Sequence, residues 1–352
     1  MLIQRKIIVL FVAIFLFCNN IFANENEAEP EKSFDLKEMI FSHVLDSYDW
    51  HLFTVGHTHV SIPLPVIVRS SERGWFLFSS SRLSHGESYE DFYVGSKNKV
   101  VEINSLGEEV RPFDISLTKN AASILLVSAF LIIVFLTMAR GYEKQPFRSR
   151  KGFIGSLEML IISIHDDLIK PCVGKDYKRF APYLLTAFFF IFVNNLLGLV
   201  PIFPGGANVT GNIAVTLVLA VLTFFMTNFF GSKEYWKEIF WPEVPLWLKA
   251  PLPIMPFIEL LGIFTKPIAL TIRLFANMLA GHIVILVLVG LIFIFSMMMN
   301  SVAGGVVSIF SVLFSTFILL IDVLVSFIQA YVFTMLSSIF IGMGRVQHSH
   351  SH

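Results

Sequence analysis

Two long apolar segments close the chain, and they constrain its fold more than any other feature. They cover residues 258–299 and 302–343. A helix needs about 20 apolar residues to cross the hydrocarbon core of a bilayer, so segments of this length must tilt strongly or lie partly along the membrane surface. The chain is 55% hydrophobic and only 15% charged, whereas soluble domains carry about 25% charged residues. The sequence therefore predicts a polytopic, all-α membrane protein.

The N-terminus has the pattern of a secretory signal peptide. Two basic residues precede a short apolar run, and the small residue Ala23 ends the segment. Cleavage after Ala23 would leave Cys172 as the only cysteine, which excludes an intramolecular disulfide. Two alternatives stay open: an uncleaved anchor helix, and a lipoprotein modified at Cys18. The second is weaker, because bulky Phe17 stands where a small residue is expected.

Residues 24–118 are polar and soluble in character. An acidic leader precedes short segments rich in aromatic and β-branched residues, which are separated by Gly, Ser and Asn. This pattern is typical of β-strands, so we predict a small β-rich extramembrane region. His57 and His59 would share one face of a strand and offer a metal site, but ordinary polar strand positions are the preferred interpretation.

Charge and hydropathy divide the remaining chain. The segment 140–179 combines an excess of Lys and Arg with apolar residues at helical spacing, which predicts a cytoplasmic amphipathic helix on the membrane surface. If this segment is cytoplasmic and each apolar segment crosses the membrane once, the chain has five transmembrane helices. Its N-terminus is then periplasmic and its C-terminus cytoplasmic. The predicted segments are the signal peptide 1–23, the periplasmic region 24–118, the first span 119–139, the amphipathic segment 140–179, a transmembrane hairpin 180–231, a cytoplasmic loop 232–257, a tilted helical hairpin 258–344 and a cytoplasmic tail 345–352.

Polar residues interrupt the last two apolar segments. A charged side chain at the centre of a bilayer costs at least about 2.5 kcal/mol, so each is a functional hypothesis. Asn277 and Gln329, taken singly, are equally well explained as interhelical hydrogen-bonding residues. The polar residues are Glu259, Lys266, Arg273, Asn277 and His282 in the first segment, and Asp322 and Gln329 in the second.

An antiparallel hairpin brings these residues into one register. Pairing Arg273 with Gln329 and pairing His282 with Asp322 both imply a turn near residue 301, within the polar, glycine-bearing stretch NSVAGG. His282 follows Arg273 by nine residues, which places the two on opposite sides of a helix. We therefore predict that His282 meets Asp322. Arg273 has no acid at its own level, so a partner chain must supply one.

Three motifs resemble subunit a of F-type ATP synthases. The stretch LLGIFTKPIALTIRLFANMLAGH resembles that family's arginine signature, SFIQAYVFTMLSSIFIGM resembles its last helix, and FVNNLLGLVP is similar to an earlier span. The resemblance covers about residues 113–345. It implies a proton-translocating subunit of the bacterial inner membrane that is not an enzyme by itself and needs no cofactor or metal.

The resemblance also implies partners and a role for the arginine. Arg273 would face the membrane carboxylates of a rotating ring of c subunits, with Asn277 and Gln329 as its polar neighbours. The b subunits of a peripheral stalk, the lipid bilayer and, indirectly, the F1 sector complete the implied partners, and no nucleic acid is among them.

Other matching positions would complete the proton path. His282 and Asp322 match a pair in the outer half-channel, Glu259 matches a residue near the cytoplasmic outlet, and Asn195 matches a polar position in the earlier span. Gly198 departs from the pattern, because some bacterial relatives carry an acid there, and a relay role at that position is in doubt.

Two other classes of protein compete with this interpretation. A secondary transporter would show repeated segments around its own binding site, and an intramembrane metalloprotease would need a motif such as His-Glu-x-x-His; the sequence contains neither pattern. Histidine exchanges protons near neutral pH, so His282 favours protons over sodium. Residues 24–118 have no role in the resemblance. Because they precede every matched motif, we expect the proton path to work without them.

Overall fold

The structure is a computed structural model, and it describes most of the chain from residue 46 onward. The described ranges are 46–55, 58–70, 73–86, 88–95, 98–104, 107–144, 151–200, 205–241, 254–298 and 301–345. The predicted signal peptide, the acidic leader, His57 and the tail beyond Arg345 lie outside these ranges.

A β-rich region precedes the membrane helices, as the sequence predicts. Its described strands pair only in the antiparallel sense: β1 with β2, β3 between β4 and β8, and β6 between β5 and β7. The strands are β1 (Asp49–Val55), β2 (Thr58–Pro63), β3 (Pro65–Ser70), β4 (Gly74–Ser79), β5 (Phe92–Val94), β6 (Val100–Ile103), β7 (Glu109–Val110) and β8 (Phe113–Asp114), with a 3-10 helix at Ser80–Gly86.

The core of this region follows from strand alternation. Successive side chains of a strand point to opposite faces, and along β3 the side chains of Val66 and Val68 are fully buried while Arg69 is exposed. Phe78 and Phe92 pack against these valines from β4 and β5. The region therefore has a hydrophobic core of its own.

Helices form the rest of the described chain. They are α1 (Lys119–Lys144), α2 (Phe153–Ser163), α3 (Lys170–Val173), α4 (Tyr177–Leu199), α5 (Ile213–Phe229), α6 (Lys233–Phe240), α7 (Ile254–Met298) and α8 (Ser301–Gly344). A π-helical turn, Ile164–Ile169, joins α2 to α3. A 3-10 turn, Gly174–Asp176, precedes α4, and the positive φ of 78° at Gly174 turns the chain there.

Within the described ranges, four helical stretches are long and apolar enough to cross a membrane. A fifth span results if α5 and α6, which meet at a bend of 100°, are taken together. The predicted fold class, a polytopic helical membrane protein with a β-rich N-terminal region, is confirmed. The stretches Met255–Leu291 and Ser308–Gly344 are 37 residues each, well beyond the roughly 20 needed to span, so tilt is expected for both.

Helix α4 forms the centre of the helical core. Phe180, Leu184, Phe188 and Ile191 are at most 2% exposed, and they recur every three or four residues on one helical face. Helix α8 packs near them through small, fully buried residues, which let two helix backbones approach closely in a membrane. These residues are Ser326, Ala330, Thr334, Ser337 and Ser338.

The β-rich region is attached to the loop between α4 and α5, which is the outer loop of the predicted topology. The indole Nε1 of Trp50 donates a hydrogen bond to the carbonyl oxygen of Gly205 at 3.1 Å. Trp50 also joins Leu64, Ala122 and Val209 in one buried hydrophobic cluster. Strand β1, the start of α1 and the loop between α4 and α5 are therefore packed as a unit.

Candidate functional site on the last two helices

Arg273 lies at the edge of the buried face of α7. Leu270, Leu274 and Met278, spaced by four residues, are 2 to 4% exposed and hold α7 against the core. A helix turns by about 100° per residue, so Arg273 leaves this face, and its side chain is exposed. The neighbouring Ile272 is 54% exposed.

The surface around Arg273 is apolar. Ala269 and Ala276, four residues before and three residues after Arg273, lie on the same side of α7, and both are exposed. Within the ranges that the structure describes, Arg273 makes no ion pair and no hydrogen bond. The chain thus presents a permanent cation on an apolar helical surface and supplies it with no acid from its described residues.

Asp322 of α8 packs against the backbone of α7 at Gly281. A Cβ atom added at Gly281 would lie 3.1 Å from Oδ2 of Asp322 and 3.3 Å from its Oδ1, so the glycine makes room for the carboxylate. Oδ2 is buried and has no hydrogen-bond partner within the described chain. This contact differs by one residue from the predicted pairing of Asp322 with His282.

The contact between Gly281 and Asp322 also determines which residues of α8 lie opposite Arg273 of α7. Counting back along α7 from Gly281 and forward along α8 from Asp322 by equal steps reaches Arg273 opposite Ala330, the neighbour of Gln329. Helix α7 ends at Met298 and helix α8 begins at Ser301, next to the predicted turn. The antiparallel register inferred from the polar residues therefore agrees with the structure.

His282 differs from the prediction in the direction of its ring. Its Nδ1 lies 3.0 Å from the carbonyl oxygen of Met278, and its Nε2 lies 3.2 Å from the carbonyl oxygen of Gly198 in α4. The ring lies against Gly198 of α4, where an added Cβ would be 3.7 Å from Cε1 of His282, an ordinary van der Waals contact. No hydrogen bond joins His282 to Asp322 in the described structure, although the two are close enough for their charges to interact.

The two hydrogen-bond contacts of His282 in the described structure are both to acceptors. Both ring nitrogens face carbonyl oxygens, which only accept hydrogen bonds. A neutral imidazole has one N–H and donates to one of them, whereas the imidazolium donates to both. A proton gained or lost at His282 therefore changes its hydrogen bonding to Gly198 and hence the contact between α7 and α4.

Asn195 lies on α4 and reaches the outer loop. Its side chain is fully buried, and its Oδ1 accepts a hydrogen bond from the hydroxyl of Thr210 at 2.5 Å. Its Nδ2 has no partner within the described chain. Asn277 and Gln329 are half-buried, and the hydrogen bonds of the described residues do not join either of them to Arg273.

Glu259 and Lys266 lie on α7 toward its N-terminal end. Glu259 is half-buried and close enough to Tyr235 of α6 for their charges to interact. The ammonium of Lys266 lies 5.5 Å from the ring centroid of Phe340 in α8, a cation–π contact between the two last helices. The structure thus does not bring Glu259 and Lys266 together with Arg273 in one cluster.

Sequence reasoning missed two residues of this site, Gly281 and Thr210. Glycine inside a helix costs about 0.5 to 1 kcal/mol relative to alanine, so Gly281 beside His282 was a signal of close approach. Thr210 gave no signal, because it lies in a short loop without periodicity. Groups of three or more His, Cys, Asp or Glu suited to a metal ion do not occur among the described residues.

Comparisons with known proteins cover both parts of the chain. The ATP synthase A chain family matches residues 122–342, and a domain of unknown function (DUF8433) matches residues 39–121. The boundary between the two matches falls at the start of α1. The β-rich region and the helical region are therefore separate units of sequence, although they pack together.

Relatives share about two thirds of the chain. ATP synthase subunit a of Chlorobium phaeobacteroides is 43% identical over 267 residues, which are 72% of this chain and 74% of the relative. ATP synthase subunit a 2 of Chlorobaculum tepidum is 45% identical over 254 residues, 69% of this chain and 67% of the relative. A subunit a of Anaeromyxobacter dehalogenans is 41% identical over 249 residues, 68% of this chain and 60% of the relative. With its own helical part matched almost from end to end, the chain belongs to the ATP synthase A chain family.

Proposed function

We propose that this chain is the stator subunit a of an F-type ATP synthase, which couples transmembrane proton flow to ATP synthesis. The observation that carries the proposal is Arg273, exposed on an apolar helical surface with no acid from the described chain. A lone charge at the centre of a membrane helix costs about 2.5 to 3.5 kcal/mol on insertion scales. A carboxylate from another chain would offset that cost.

The partner that fits is a ring of c subunits, each with one membrane carboxylate. An ionised carboxylate arriving at Arg273 is attracted by the guanidinium, so the ring site must give up its proton before it passes. The same fixed charge bars a proton from crossing directly between the two half-channels. Each charge that falls through 100 mV yields about 2.3 kcal/mol, and this energy reaches the ring only when the direct leak is closed.

His282 and Asp322 supply the outer half of the path in this proposal. His282 accepts a proton from the outer side. Asp322 lies on the facing helix and contacts Gly281, the residue next to His282. The histidine favours protons as the coupling ion, because imidazole exchanges protons near neutral pH. Asn277 and Gln329 serve as polar neighbours of Arg273, Asn195 as a polar group beside the outer loop, and Glu259 as a group near the cytoplasmic outlet.

The proposal also fixes location and partners. The chain would lie in the bacterial inner membrane with its β-rich region periplasmic and its C-terminus cytoplasmic. It would contact the c ring, the b subunits of the peripheral stalk and lipid, and through the stalk the F1 sector. It would perform no chemical catalysis itself.

Purification and crosslinking test the assignment. Tagged chain extracted from its native membrane in mild detergent should bring down the c ring and F1 subunits, whereas a transporter would purify alone. In a Cys172→Ser background, Ile272→Cys carrying a photoactivatable maleimide should crosslink to the c subunit, because Ile272 is exposed beside Arg273.

The matched control is Ile132→Cys, which is 59% exposed on α1 and lies outside the proposed ring contact. It should label equally well without crosslinking to the c subunit. Copurification of no ring subunit, or equal crosslinking from both positions, would contradict the assignment.

A further inference from the structure

A cavity of about 750 Å³ lies between the β-rich region, the outer loop and α7. By the same measure one water molecule needs roughly 10 to 15 Å³, so the cavity holds many. Its lining comes from parts of the chain that are far apart in sequence. Among the lining residues are Tyr48, Arg111 and Asp114 of the β-rich region, Asn208 of the outer loop, and Leu279 and Ile283 of α7.

The cavity wall carries charged side chains. Asp46, Lys99 and Arg111 are among the lining residues, and ionised groups are stable only where water or a partner solvates them. Asn120 and Asn208 also belong to the lining, although their Oδ1 and Nδ2 atoms are sealed from solvent in the described chain. A cavity of this size with charged groups in its wall is hydrated.

His282 lies beside the cavity without being part of its lining. Leu279 lines the cavity, and His282 lies three residues further, about 60° away around the helix axis. Gly281, against which Asp322 packs, lies about 100° from His282 on its other side. The histidine thus lies on the flank of α7 between the cavity and the carboxylate. Its ring also touches Gly198 at the end of α4, where the outer loop begins.

The β-rich part of the wall is held in place by its own bonds. The hydroxyl of Tyr48 donates to Oδ2 of Asp114 at 2.5 Å and accepts from the backbone N–H of Val100 at 3.2 Å. Burial, together with the hydrogen bond to Asp114, raises the pKa of Tyr48 well above its usual value. Tyr48 therefore stays a neutral donor at physiological pH. Asp46 accepts from the backbone N–H of Asn120 at 3.1 Å, which ties the wall to α1.

We infer that the β-rich region is the entrance of the outer half-channel. In this arrangement protons reach His282 through the cavity under the β-rich region, and that region is one wall of the path. The inference rests on the proposed function, and it gives a role to residues that the sequence alone placed outside the proton path. It departs from the expectation that the proton path works without residues 24–118, because in the fold parts of that region line one cavity together with α7.

Chemical modification after assembly tests the inference without disturbing folding. In a Cys172→Ser background, Arg111→Cys places a thiol in the cavity wall. The matched control is Arg69→Cys, because Arg69 is also an exposed arginine of the β-rich region but is not part of the cavity lining. The purified complex is labelled with a bulky, polar maleimide, reconstituted into liposomes and assayed for ATP-driven acidification.

Labelled Arg111→Cys should pump several-fold more slowly than the unlabelled variant, and labelled Arg69→Cys should pump as before. Complete labelling of Arg111→Cys, shown by mass spectrometry, with unchanged pumping would overturn the inference. An equal loss for both variants would also overturn it. Arg273→Ala, assayed beside them, separates the two proposals: normal pumping by that variant contradicts the proposed function itself, whatever labelling does at the entrance.

Discussion

Two arginines in this chain have opposite surroundings. At the end of α8, Arg345 donates to Oδ2 of Asp176 from both Nε and Nη2, and its Nη1 donates to the carbonyl oxygen of Phe230 at 3.0 Å. In the middle of α7, Arg273 has no such partner in the described chain. Arg345 serves the fold of its own chain, whereas Arg273 is left without an acid by the described residues, as we expect of a group that meets another chain.

The helices differ in the same way in the share of their residues that is buried within the chain. In the most apolar 18-residue stretch of each span, 50% of the residues are buried for Phe153–Leu199 but only 6% for Ser308–Gly344. The first stretch contains α4, the centre of the core, and the second contains Asp322. A helix that binds a moving partner cannot be covered by its own chain, so the exposed helices carry the polar residues proposed for the ion path.

The largest expected effect distinguishes the two arginines directly. Arg273→Ala should abolish ATP-driven pumping and ATP synthesis, because the leak between the half-channels opens and the ring carboxylate loses its counter-charge. Arg273→Lys should be nearly as damaging, since a compact ammonium does not reproduce the delocalised guanidinium. The measurement is acidification of inverted membrane vesicles.

The matched control is Arg345→Ala. It removes a partly exposed ion pair, with side chains 28% and 43% exposed, and should lower the free energy of unfolding by about 1 kcal/mol. Pumping by the assembled complex should persist. Normal coupled synthesis in either Arg273 variant, or equal loss of pumping in Arg345→Ala, would remove the distinction between the two sites.

The second largest effect is expected from changes to His282 and Asp322, the two residues proposed to carry protons in the outer half of the path. Asp322→Asn removes the acceptor beside Gly281, and pumping should fall at least about tenfold, equal to roughly 1.4 kcal/mol in the barrier. Exchanging the pair, with His282→Asp and Asp322→His together, should restore more activity than either single change, because the groups do similar work from facing helices. Vesicle acidification is compared for the wild type, both single variants and the double variant.

Thr316→Val is the control for that series, because the Thr316 hydroxyl bonds only within its own helix, to the carbonyl of Val312. It should pump normally. A double variant no better than the worse single would show that His282 and Asp322 do not act as a unit.

The smallest effect comes from a single methyl group. In Gly281→Ala the new Cβ would lie 3.1 Å from Oδ2 of Asp322, so the carboxylate must shift by a few tenths of an ångström. Pumping should fall several-fold, which corresponds to less than about 1.4 kcal/mol. Gly262→Ala on the same helix meets nothing within 4 Å and should have no effect. Equal activity of the two variants would show that the position of the carboxylate is not critical.

Periodicity in the sequence predicted the parts of the fold that depend on local pattern. The strands around Val66 and Phe92 follow from alternation, and the end of α7 at Met298 follows from a break between two apolar runs. The position of Gln329 near Arg273 was predicted as well. Two polar pairs on antiparallel helices are compatible with only one alignment of the two helices.

Contacts between distant segments could not be predicted in this way. The ring of His282 lies 3.2 Å from the carbonyl oxygen of Gly198 in α4, and neither its rotamer nor that neighbour follows from the local sequence. The bond from Trp50 to Gly205 joins residues 155 apart. It holds the β-rich region against the loop between α4 and α5, so the cavity that we propose as the entrance could be recognised only from the structure.

The C-terminal end of α8 is packed tightly against neighbouring segments, and this packing has a mechanical consequence. The added Cβ of Gly342 would lie 2.1 Å from the carbonyl oxygen of Cys172, so α8 touches α3 backbone to backbone. The N–H of Ser232 donates to the carbonyl oxygen of Gly344 at 2.7 Å. The proposed ring would push back on α7 and α8 as it turns, and at Asp322 that force would act about 33 Å from this end, at 1.5 Å per residue. The buried residues Ser326, Ala330 and Thr334 support α8 along that length, so the helix would bend little and the load would pass into the core and into α3.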